Sequence, residues 1–412
     1  MPQLKNVHRL ATLLAVGLVG LLGCAPPKAP APIPQMPPKQ ACPAPSAGPN
    51  LRVTYAAGES NSPDILWDGN YFRIAWWDLR EREPMVYLSR ITETAHRIGG
   101  ELKVFNNALA KSPDIAFDGR NLEIVWQERE KLYLLSLGDR PYPAVLLSPS
   151  GAMVSAGGWD AAVWVEKGAM LFRSGGQNAG SKPVVVAMGE IENPQLLWTG
   201  TEYAVVWSNA VAGGRDILLQ RLDSRGGRRG PVVKVSGLRG QASHPVAVWN
   251  GKEYGVAWTH AAPLEENRKQ RFQLFFARVP ALGTMPESTR SLDFFGSADQ
   301  VSLATSGEEY AVSWVGADQA GTSIYFHRLS DRGEPVGETI QVNDGAAQVV
   351  GSPTLAWNGR GYGVTWHDDR YGGDSEIFFS FVSCGEKAPE PATPSPADAG
   401  APASRVDASP HR

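Results

Sequence analysis

Hydrophobic residues alternate with small or polar residues through most of the chain. In residues 352–366, SPTLAWNGRGYGVTW, the large side chains of Tyr362, Val364 and Trp366 occupy every second position. This period of two is typical of a β-strand, whose successive side chains point to opposite faces. The short apolar run before the Asn-Gly pair predicts a preceding strand, and Asn-Gly predicts the hairpin turn between the two.

The same pattern recurs along the chain. Six copies lie at 62–77, 112–126, 193–207, 244–258, 300–314 and 352–366, and a seventh, eroded copy lies at 153–164. The closing Trp of the copies recurs on average about every 48 residues, and a strand-built repeat of this length indicates a β-propeller. We therefore predict an all-β fold, a seven-bladed β-propeller of four-stranded antiparallel blades.

The strand count predicts how the ring closes. A third strand, such as MVYLSRI at 85–91, follows every copy, but a fourth strand follows only six of them. We expect the missing strand at 51–57, pairing into the last blade and leaving few exposed edges. Because Cys42 precedes this strand and Cys384 follows the last one, a Cys42–Cys384 disulfide is expected. Two free thiols are the alternative.

These repeats, P-x-L-A-W-[DN]-G-x-x-Y-x-V-x-W, resemble those of bacterial secreted and lipid-anchored propellers in the WD40-like and TolB-like group. The resemblance covers residues 51–384 and concerns architecture. It implies no single function, because propellers serve as enzymes, adaptors and ligand binders. The kelch double glycine, the sialidase Asp-box and the Trp-Asp terminus of WD40 repeats do not recur, so those activities are not transferred.

Residues 1–23 are similar to a bacterial lipoprotein signal peptide. Lys5 and Arg9 precede an apolar run that is too short to span a bilayer comfortably. The LLGC sequence that ends at Cys24 resembles a lipobox, which implies cleavage before Cys24 and its lipidation. By the same analogy, Ala25 favours the bacterial outer membrane, with a periplasmic or surface-facing domain. An ordinary signal peptide or an uncleaved anchor is the alternative.

The regions that flank the repeats are rich in Pro and Ala. Residues 24–50 predict an extended tether, and its eighteen steps from Cys24 to Cys42 reach at most about 55 Å. Residues 385–412 predict a disordered tail. The expected organisation is therefore a signal peptide at 1–23, a tether at 24–50, a propeller at 51–384 and a tail at 385–412.

Charge and motifs exclude several functions. The formal net charge of −3 and the absence of Lys or Arg runs argue against nucleic-acid binding. The chain lacks H-E-x-x-H, G-x-S-x-G, a phosphate loop, an EF-hand loop and Cys/His clusters with metal spacing. We accordingly predict no cofactor and no metal. Eleven of the thirteen Trp occupy template positions and are assigned to packing rather than to carbohydrate stacking.

Polar residues after the second strands form the candidate ligand face. The pattern W-x-D-x-R occurs at 76–80 and 366–370, with a shortened form at 126–129. In propellers these loops share a face with the residues that flank the first strands. The candidates are Asp64, Asp78, Arg80, Asp114, Glu128, Arg129, His244, His260, His367, Asp368, Asp369 and Arg370. The alternative is that each Asp caps its own turn and pairs with its own Arg.

Two functions remain open. The first is a monomeric binding or scaffolding lipoprotein, held to the membrane by the lipid on Cys24, that presents its propeller to a protein or glycan partner. The second is a carbohydrate-active hydrolase or lyase with carboxylates at the channel mouth. An enzyme predicts that Asp78, Asp368 and Asp369 cluster with strongly raised pKa values. A scaffold predicts that they lie apart and pair with Arg.

Overall fold

The computed structural model describes residues 41–55, 57–104, 110–138, 143–175, 182–262, 271–292, 297–317, 321–344 and 350–385. Cys24, the predicted signal peptide and the tail beyond residue 385 lie outside these ranges. Within them the regular secondary structure is β-strand, and no helix there is long and apolar enough to cross a membrane.

The first half of the chain contains two short strands followed by three repeats. The short strands are β1 (Ser46–Ala47) and β2 (Leu51–Arg52). Repeat 1 contains β3 (Ser60–Trp67), β4 (Phe72–Asp78), β5 (Met85–Ile91) and β6 (Leu102–Lys103). Repeat 2 contains β7 (Ala110–Phe117), β8 (Leu122–Glu128), β9 (Lys131–Leu137) and β10 (Val145–Ser148). Repeat 3 contains β11 (Ala152–Gly158), β12 (Ala161–Glu166), β13 (Ala169–Arg173) and β14 (Val184–Met188).

The second half contains four repeats, the last with three strands. Repeat 4 contains β15 (Ile191–Trp198), β16 (Tyr203–Val211), β17 (Gly214–Leu222) and β18 (Arg228–Lys234). Repeat 5 contains β19 (Gly240–Trp249), β20 (Glu253–Ala261), β21 (Phe272–Pro280) and β22 (Ser288–Leu292). Repeat 6 contains β23 (Ser297–Thr305), β24 (Tyr310–Ala317), β25 (Thr322–Leu329) and β26 (Pro335–Gln341). Repeat 7 contains β27 (Val350–Trp357), β28 (Gly361–Asp368) and β29 (Glu376–Ser383).

Consecutive strands within each repeat pair antiparallel, so repeats 1 to 6 each contribute four sheet strands, and the three strands of repeat 7 form a sheet with β1 and β2. A short parallel pairing of β17 with β19, at Gly214–Gly240 and Arg215–Gln241, joins the sheets of repeats 4 and 5. The first strands of consecutive repeats contact one another, and β27 also contacts β3. This arrangement confirms the prediction of an all-β propeller built from four-stranded antiparallel sheets.

The N-terminal strand differs from the prediction at 51–57. It is split into β1 and β2, both paired antiparallel with β29, at Ser46–Ser383 and Leu51–Phe379. The pairing therefore begins inside the predicted tether, 24–50. Pro49 lies between the two pieces and has no amide hydrogen to donate to β29. After Arg52 the side chain of Thr54 continues the contact, because its Oγ1 accepts a hydrogen bond from the backbone of β29.

The predicted disulfide is confirmed. Cys42 and Cys384 are joined with an S–S distance of 2.00 Å, and both residues are buried. Cys42 lies just before β1, and Cys384 directly follows β29. The bond therefore links the first strand of the described chain to the strand with which it pairs.

The alternating pattern of the second strands explains how neighbouring repeats pack. Their closing tryptophans are at most 1% exposed: Trp76, Trp126, Trp164, Trp207, Trp258, Trp314 and Trp366. The small residues face the neighbouring repeat. A Cβ on Gly255 would lie 2.4 Å from the ring of Tyr310, and a Cβ on Gly363 would lie 2.6 Å from the ring of Phe72. Each aromatic ring thus fills the space left by its neighbour's small residue.

The predicted hairpins are present, and a side chain caps the turn in every repeat but repeat 3. The Oδ1 of Asp68 accepts hydrogen bonds from the amides of Asn70 and Tyr71, at 2.9 and 2.8 Å. Gly69 has φ of +97°, a conformation that favours glycine. In repeats without Asp or Asn, the hydroxyls of Thr199 and Ser306 take the same role. These six turns are therefore Asx- and hydroxyl-capped loops, whereas repeat 3 has a two-residue turn in which Trp159 and Asp160 have φ of +60° and +53°.

Candidate functional site

Each first strand begins with a bulge that positions the residues after it. Six residues at the equivalent position have φ near +50°: Ser62, Ser112, Met153, Asn193, His244 and Gln300. The strand register shifts at the same place, for example between Asn61 and Asp64. For a residue with a Cβ this conformation costs about 1–2 kcal/mol. Its recurrence indicates that the fold requires the bulge in order to aim the following side chains.

A cavity of about 2020 Å³ is lined by residues from all seven first strands. The end at the bulges, which we call the polar end, is lined by Ser112, Gln127, Asn193, His244 and Gln300. The opposite end, at the hairpin turns, is the aromatic end and is lined by Trp67, Phe117, Trp198, Trp249 and Trp357. Small and aliphatic residues such as Ala116, Gly157 and Leu197 line the wall between them.

Hydrogen bonds between neighbouring first strands form a belt near the polar end. In each case a side chain two positions after the bulge accepts the amide hydrogen of the next repeat. The pairs are Asp64 with Ile115 (2.9 Å), Asp114 with Ala156 (3.4 Å), Ser155 with Leu196 (3.1 Å), Gln195 with Ala247 (2.6 Å) and Ser302 with Leu355 (3.0 Å). The belt was not predicted from the sequence, although three of its acceptors directly follow a Ser-Pro or Asn-Pro pair: Asp64, Asp114 and Gln195.

Asp64 and Asp114 are the two acidic members of the belt, and both line the cavity. Burial raises the pKa of Asp64 to about 6, although the amides of Ile115 and Ile65 stabilise the carboxylate. Burial, followed by the charge of Asp64, raises the pKa of Asp114 well above its usual range. The pair therefore retains protons at a pH where ordinary carboxyl groups are ionised.

The first W-x-D-x-R segment forms a closed network outside the cavity lining. Asp78 is fully buried, and its Oδ2 accepts a hydrogen bond from the indole of Trp76 at 3.1 Å. The guanidinium of Arg80 binds both oxygens of Asp78, each at 2.9 Å from its Nε. Arg80 also pairs with Glu101 and lies 3.9 Å from the ring centre of Tyr87. Asp78 is thus held by its own Arg and Trp.

The second W-x-D-x-R segment repeats this geometry. Asp368 is fully buried, accepts the indole hydrogen bond of Trp366 at 2.8 Å, and pairs with Arg370 at 2.5 Å. Arg370 lies 4.2 Å from the ring centre of Phe378. The backbone oxygen of Asp369 accepts a hydrogen bond from the amide of Gly372 at 2.8 Å. Both segments show the arrangement in which the Asp pairs with its own Arg.

The remaining candidates lie in several environments. Burial lowers the pKa of His260 and lowers that of His367 to about 4, so both imidazoles are neutral near pH 7. Glu128 is half-buried, and Arg129 is exposed in a turn with φ of +56°. Of the twelve candidates, Asp64, Asp114 and His244 line the cavity. The structure does not bring the other nine to its lining.

A further network, not anticipated from the sequence, links repeats 4 to 6 near the hairpin end. Three Glu–Arg pairs connect the second and third strands: Glu202–Arg221, Glu253–Arg278 and Glu309–Arg328. The hydroxyl of Tyr254 donates to Glu202 at 2.9 Å, and that of Tyr310 donates to Glu253 at 3.2 Å, each from the next repeat. The G-x-E-Y motif of these repeats, together with an Arg in the third strand, was the available signal.

The arrangement of His, Cys, Asp and Glu side chains bears on metal binding. Among the residues that the structure describes, no group of three or more His, Cys, Asp or Glu side chains is arranged to hold a metal ion. The cavity is instead lined by polar side chains, by the two carboxyl groups of Asp64 and Asp114 with raised pKa values, and by aromatic rings.

Comparisons with known proteins support the fold. No family model and no curated protein matches the sequence. A solved protein of unknown function from Dyadobacter fermentans is 12% identical with a TM-score of 0.53, covering 83% of this chain and 99% of its own. An oligogalacturonate lyase in complex with manganese is 10% identical with a TM-score of 0.51, covering 84% and 98%. The β-propeller domain of the Trilobed protease from Pyrococcus furiosus is 9% identical with a TM-score of 0.48, covering 82% and 98%. At these identities the likeness to the first two proteins, whose TM-scores exceed 0.5, concerns the fold alone.

Proposed function

We propose that the chain is a lipid-anchored, monomeric, seven-bladed propeller of the bacterial outer membrane that binds or scaffolds a protein or glycan partner. Seven first strands line one cavity, and β27 contacts β3, which supports a closed ring of seven blades. The pairing of β1 and β2 with β29 supplies the outer strand of the seventh blade, and the Cys42–Cys384 bond fastens it.

Cys42 lies at the aromatic end of the cavity. Its amide donates a hydrogen bond to Glu309 at 3.1 Å, and Glu309 lies beside the hairpin turn of repeat 6. The polar end, with Asp64 and Asp114, is the opposite end of the cavity, and we assign the partner to it.

The observation that carries this proposal is the state of the W-x-D-x-R carboxylates. Asp78 and Asp368 lie in different repeats, and each is bound by its own Arg and its own Trp. A general acid or nucleophile must reach the substrate. These two groups are enclosed, which favours a binding protein over an enzyme that uses them.

The test is affinity capture from membranes with the full-length lipidated protein. Met153 is a half-exposed residue of the cavity lining, so Met153→Arg places a charged side chain at the polar end. Lys167→Glu is the matched control, because Lys167 is exposed at the same end of repeat 3 but does not line the cavity. We expect Met153→Arg to lose the captured partner and Lys167→Glu to retain it. Equal capture by both variants would contradict the assignment of the polar end.

Anchoring is tested separately. Mass spectrometry of the N-terminal peptide should show a lipid on Cys24, and Cys24→Ser should release the protein from membranes. An unmodified Cys24 in a membrane-bound protein would contradict the lipoprotein proposal without affecting the binding site.

A carbohydrate-active hydrolase or lyase is the second candidate, and one observation favours it. Asp64 and Asp114 are carboxyl groups with raised pKa values that line the cavity. Such a pair can supply a general acid near neutral pH. Turnover of a glycan by the wild type, lost in Asp64→Asn and Asp114→Asn but retained in Asp223→Asn, would establish this function in place of the first.

A further inference from the structure

The tryptophans of the repeats fall into two classes. Those that close the second strands are at most 1% exposed and serve the packing between repeats. Of those that close the first strands, Trp67, Trp198 and Trp249 are half-buried and line the aromatic end of the cavity, whereas Trp357 is 7% exposed. Packing therefore accounts for the first class completely, but leaves part of the rings of Trp67, Trp198 and Trp249 facing the cavity.

The lining indoles share one orientation. Trp67 packs on Phe72 with ring centres 4.9 Å apart, inclined by 59°, and Trp198 packs on Tyr203 at 4.5 Å and 51°. Trp249 packs in the same way on Tyr254, with ring centres 4.7 Å apart and an inclination of 52°. Each indole is thus held against an aromatic ring of its own repeat. The rings are fixed platforms that lose little conformational freedom when a ligand stacks on them.

The rim of the aromatic end carries polar groups. It includes Asn70, Thr92, Thr94, Asn358 and Arg360. Glu93 pairs with Arg360 at 2.7 Å and accepts a hydrogen bond from Asn358 at 3.2 Å, so charge on the rim is neutralised locally. Gly69 and Gly251, in two of the turns at this end, are exposed, and a Cβ on either would meet nothing within 4 Å.

These features match the chemistry of a sugar chain. A pyranose ring has an apolar face of C–H groups that stacks on an indole, and a hydroxyl edge that bonds to amide, hydroxyl and guanidinium groups. The cavity of about 2020 Å³ exceeds the roughly 300–1,000 Å³ of typical small-molecule sites. The space therefore admits several sugar units. A cationic ligand is disfavoured, because Glu93 is already paired with Arg360.

We propose that the aromatic end of the cavity is a carbohydrate-binding site for a neutral oligosaccharide. Trp67, Trp198 and Trp249 are its stacking platforms, and the rim supplies hydrogen bonds to the hydroxyl groups. This inference rests on the proposed binding function and names a glycan as the ligand of the channel. It assigns the glycan to the end opposite the one tested by Met153→Arg.

The experiment is isothermal titration calorimetry of the full-length protein in detergent with cellotetraose, chitotetraose and maltotetraose, each up to about 5 mM, which detects complexes with a Kd near 1 mM. At least one of these sugars should bind. Trp67→Leu and Trp249→Leu keep an apolar side chain on the neighbouring ring but remove the flat platform. Each should weaken binding about five- to tenfold.

Two variants serve as controls. Trp77 is half-buried, donates a hydrogen bond to Ser62 and does not line the cavity, so Trp77→Leu should bind the sugar like the wild type. Phe117→Trp enlarges an existing platform in repeat 2 and should retain or strengthen binding. Urea unfolding of every variant verifies that binding is compared between folded proteins.

The outcomes separate this proposal from the proposed function. Absence of binding by all three sugars, with membrane capture preserved, overturns the carbohydrate site alone. Sugar binding that Trp67→Leu and Trp249→Leu leave unchanged also overturns it. If the wild-type protein neither binds a sugar nor captures a partner from membranes, the proposed binding function itself is overturned. Tighter binding of a synthetic Pro-rich peptide of residues 386–399 than of every sugar would assign the platforms to a peptide and refute the proposal.

Discussion

Asp64 should make the stability of the protein depend on pH in a predictable direction. Its pKa is about 6 in the folded protein, against an ordinary value of 3.8. Below about pH 4 the carboxyl group is protonated in both the folded and unfolded states, so burial imposes no electrostatic penalty. Between pH 4 and 6 the unfolded chain releases its proton while the folded chain retains it, so the free energy of unfolding falls as the pH rises.

The size of the effect follows from the same shift. At about 1.4 kcal/mol for each pKa unit, a rise from 3.8 to about 6 corresponds to about 3 kcal/mol of lost stability above pH 6. Asp64→Asn cannot ionise, so it removes this penalty while keeping one oxygen to accept a backbone hydrogen bond. It also lowers the pKa of Asp114, because the charge of Asp64 contributes to raising it.

Urea unfolding at pH 4 and pH 7.5 measures the effect. Between these two conditions the wild type should lose at least about 2–3 kcal/mol relative to Asp64→Asn, whatever the absolute stability of the variant, because the variant also reduces the penalty from Asp114. Asp223→Asn is the matched control: the amides of Arg225 and Gly227 lower the pKa of Asp223, so its effect on stability changes mainly below pH 4, and the wild type and Asp223→Asn should differ by a nearly constant amount from pH 4 to pH 7.5. A difference between wild type and Asp64→Asn that stays constant from pH 4 to pH 7.5 would refute the reasoning.

Three further predictions concern stability in urea. Trp258→Ala should cost about 3–5 kcal/mol, because it empties a fully buried site between repeats; an unchanged unfolding midpoint would contradict this role. The double variant Cys42→Ser/Cys384→Ser should lose at most about 5–6 kcal/mol, the chain-entropy value for a sequence separation of 342, and non-reduced peptide mapping should find the linked pair in the wild type. Glu309→Gln should cost about 3–5 kcal/mol by leaving the buried Arg328 unpaired, whereas Glu309→Leu/Arg328→Met should cost much less; equal losses would argue against an unpaired charge as the cause.

Local patterns were sufficient to predict the architecture. The period of two in segments such as 352–366 marks strands, the Asx-Gly pairs mark hairpins, and the Trp spacing marks the repeat. The positions of Cys42 and Cys384 at the two ends of the repeated region led to the disulfide, because a chain that closes on itself brings its ends together. These features depend on neighbours in sequence or on the repeat itself.

The candidate site could not be predicted to the same extent. Asp64 lies within β3 and Asp78 ends β4, and only Asp64 lines the cavity, whereas Asp78 is enclosed by Arg80 and Trp76. The bulge at Ser62, with its positive φ, shifts the register of β3 just before Asp64. A composition that allows Ser, Asn, His, Met or Gln at this position carries no signal for such a conformation.

The sequence by itself determined the all-β repeat, its hairpins and its disulfide, since these follow from periodicity and chain order. Only the tertiary structure decided which polar and aromatic groups meet. Trp67 and Trp76 are similar in sequence context, but the first strand borders the cavity while the second strand lies between neighbouring sheets. A side chain's exposure depends on where its strand lies relative to the cavity, and that position is a property of the assembled repeats rather than of any one of them.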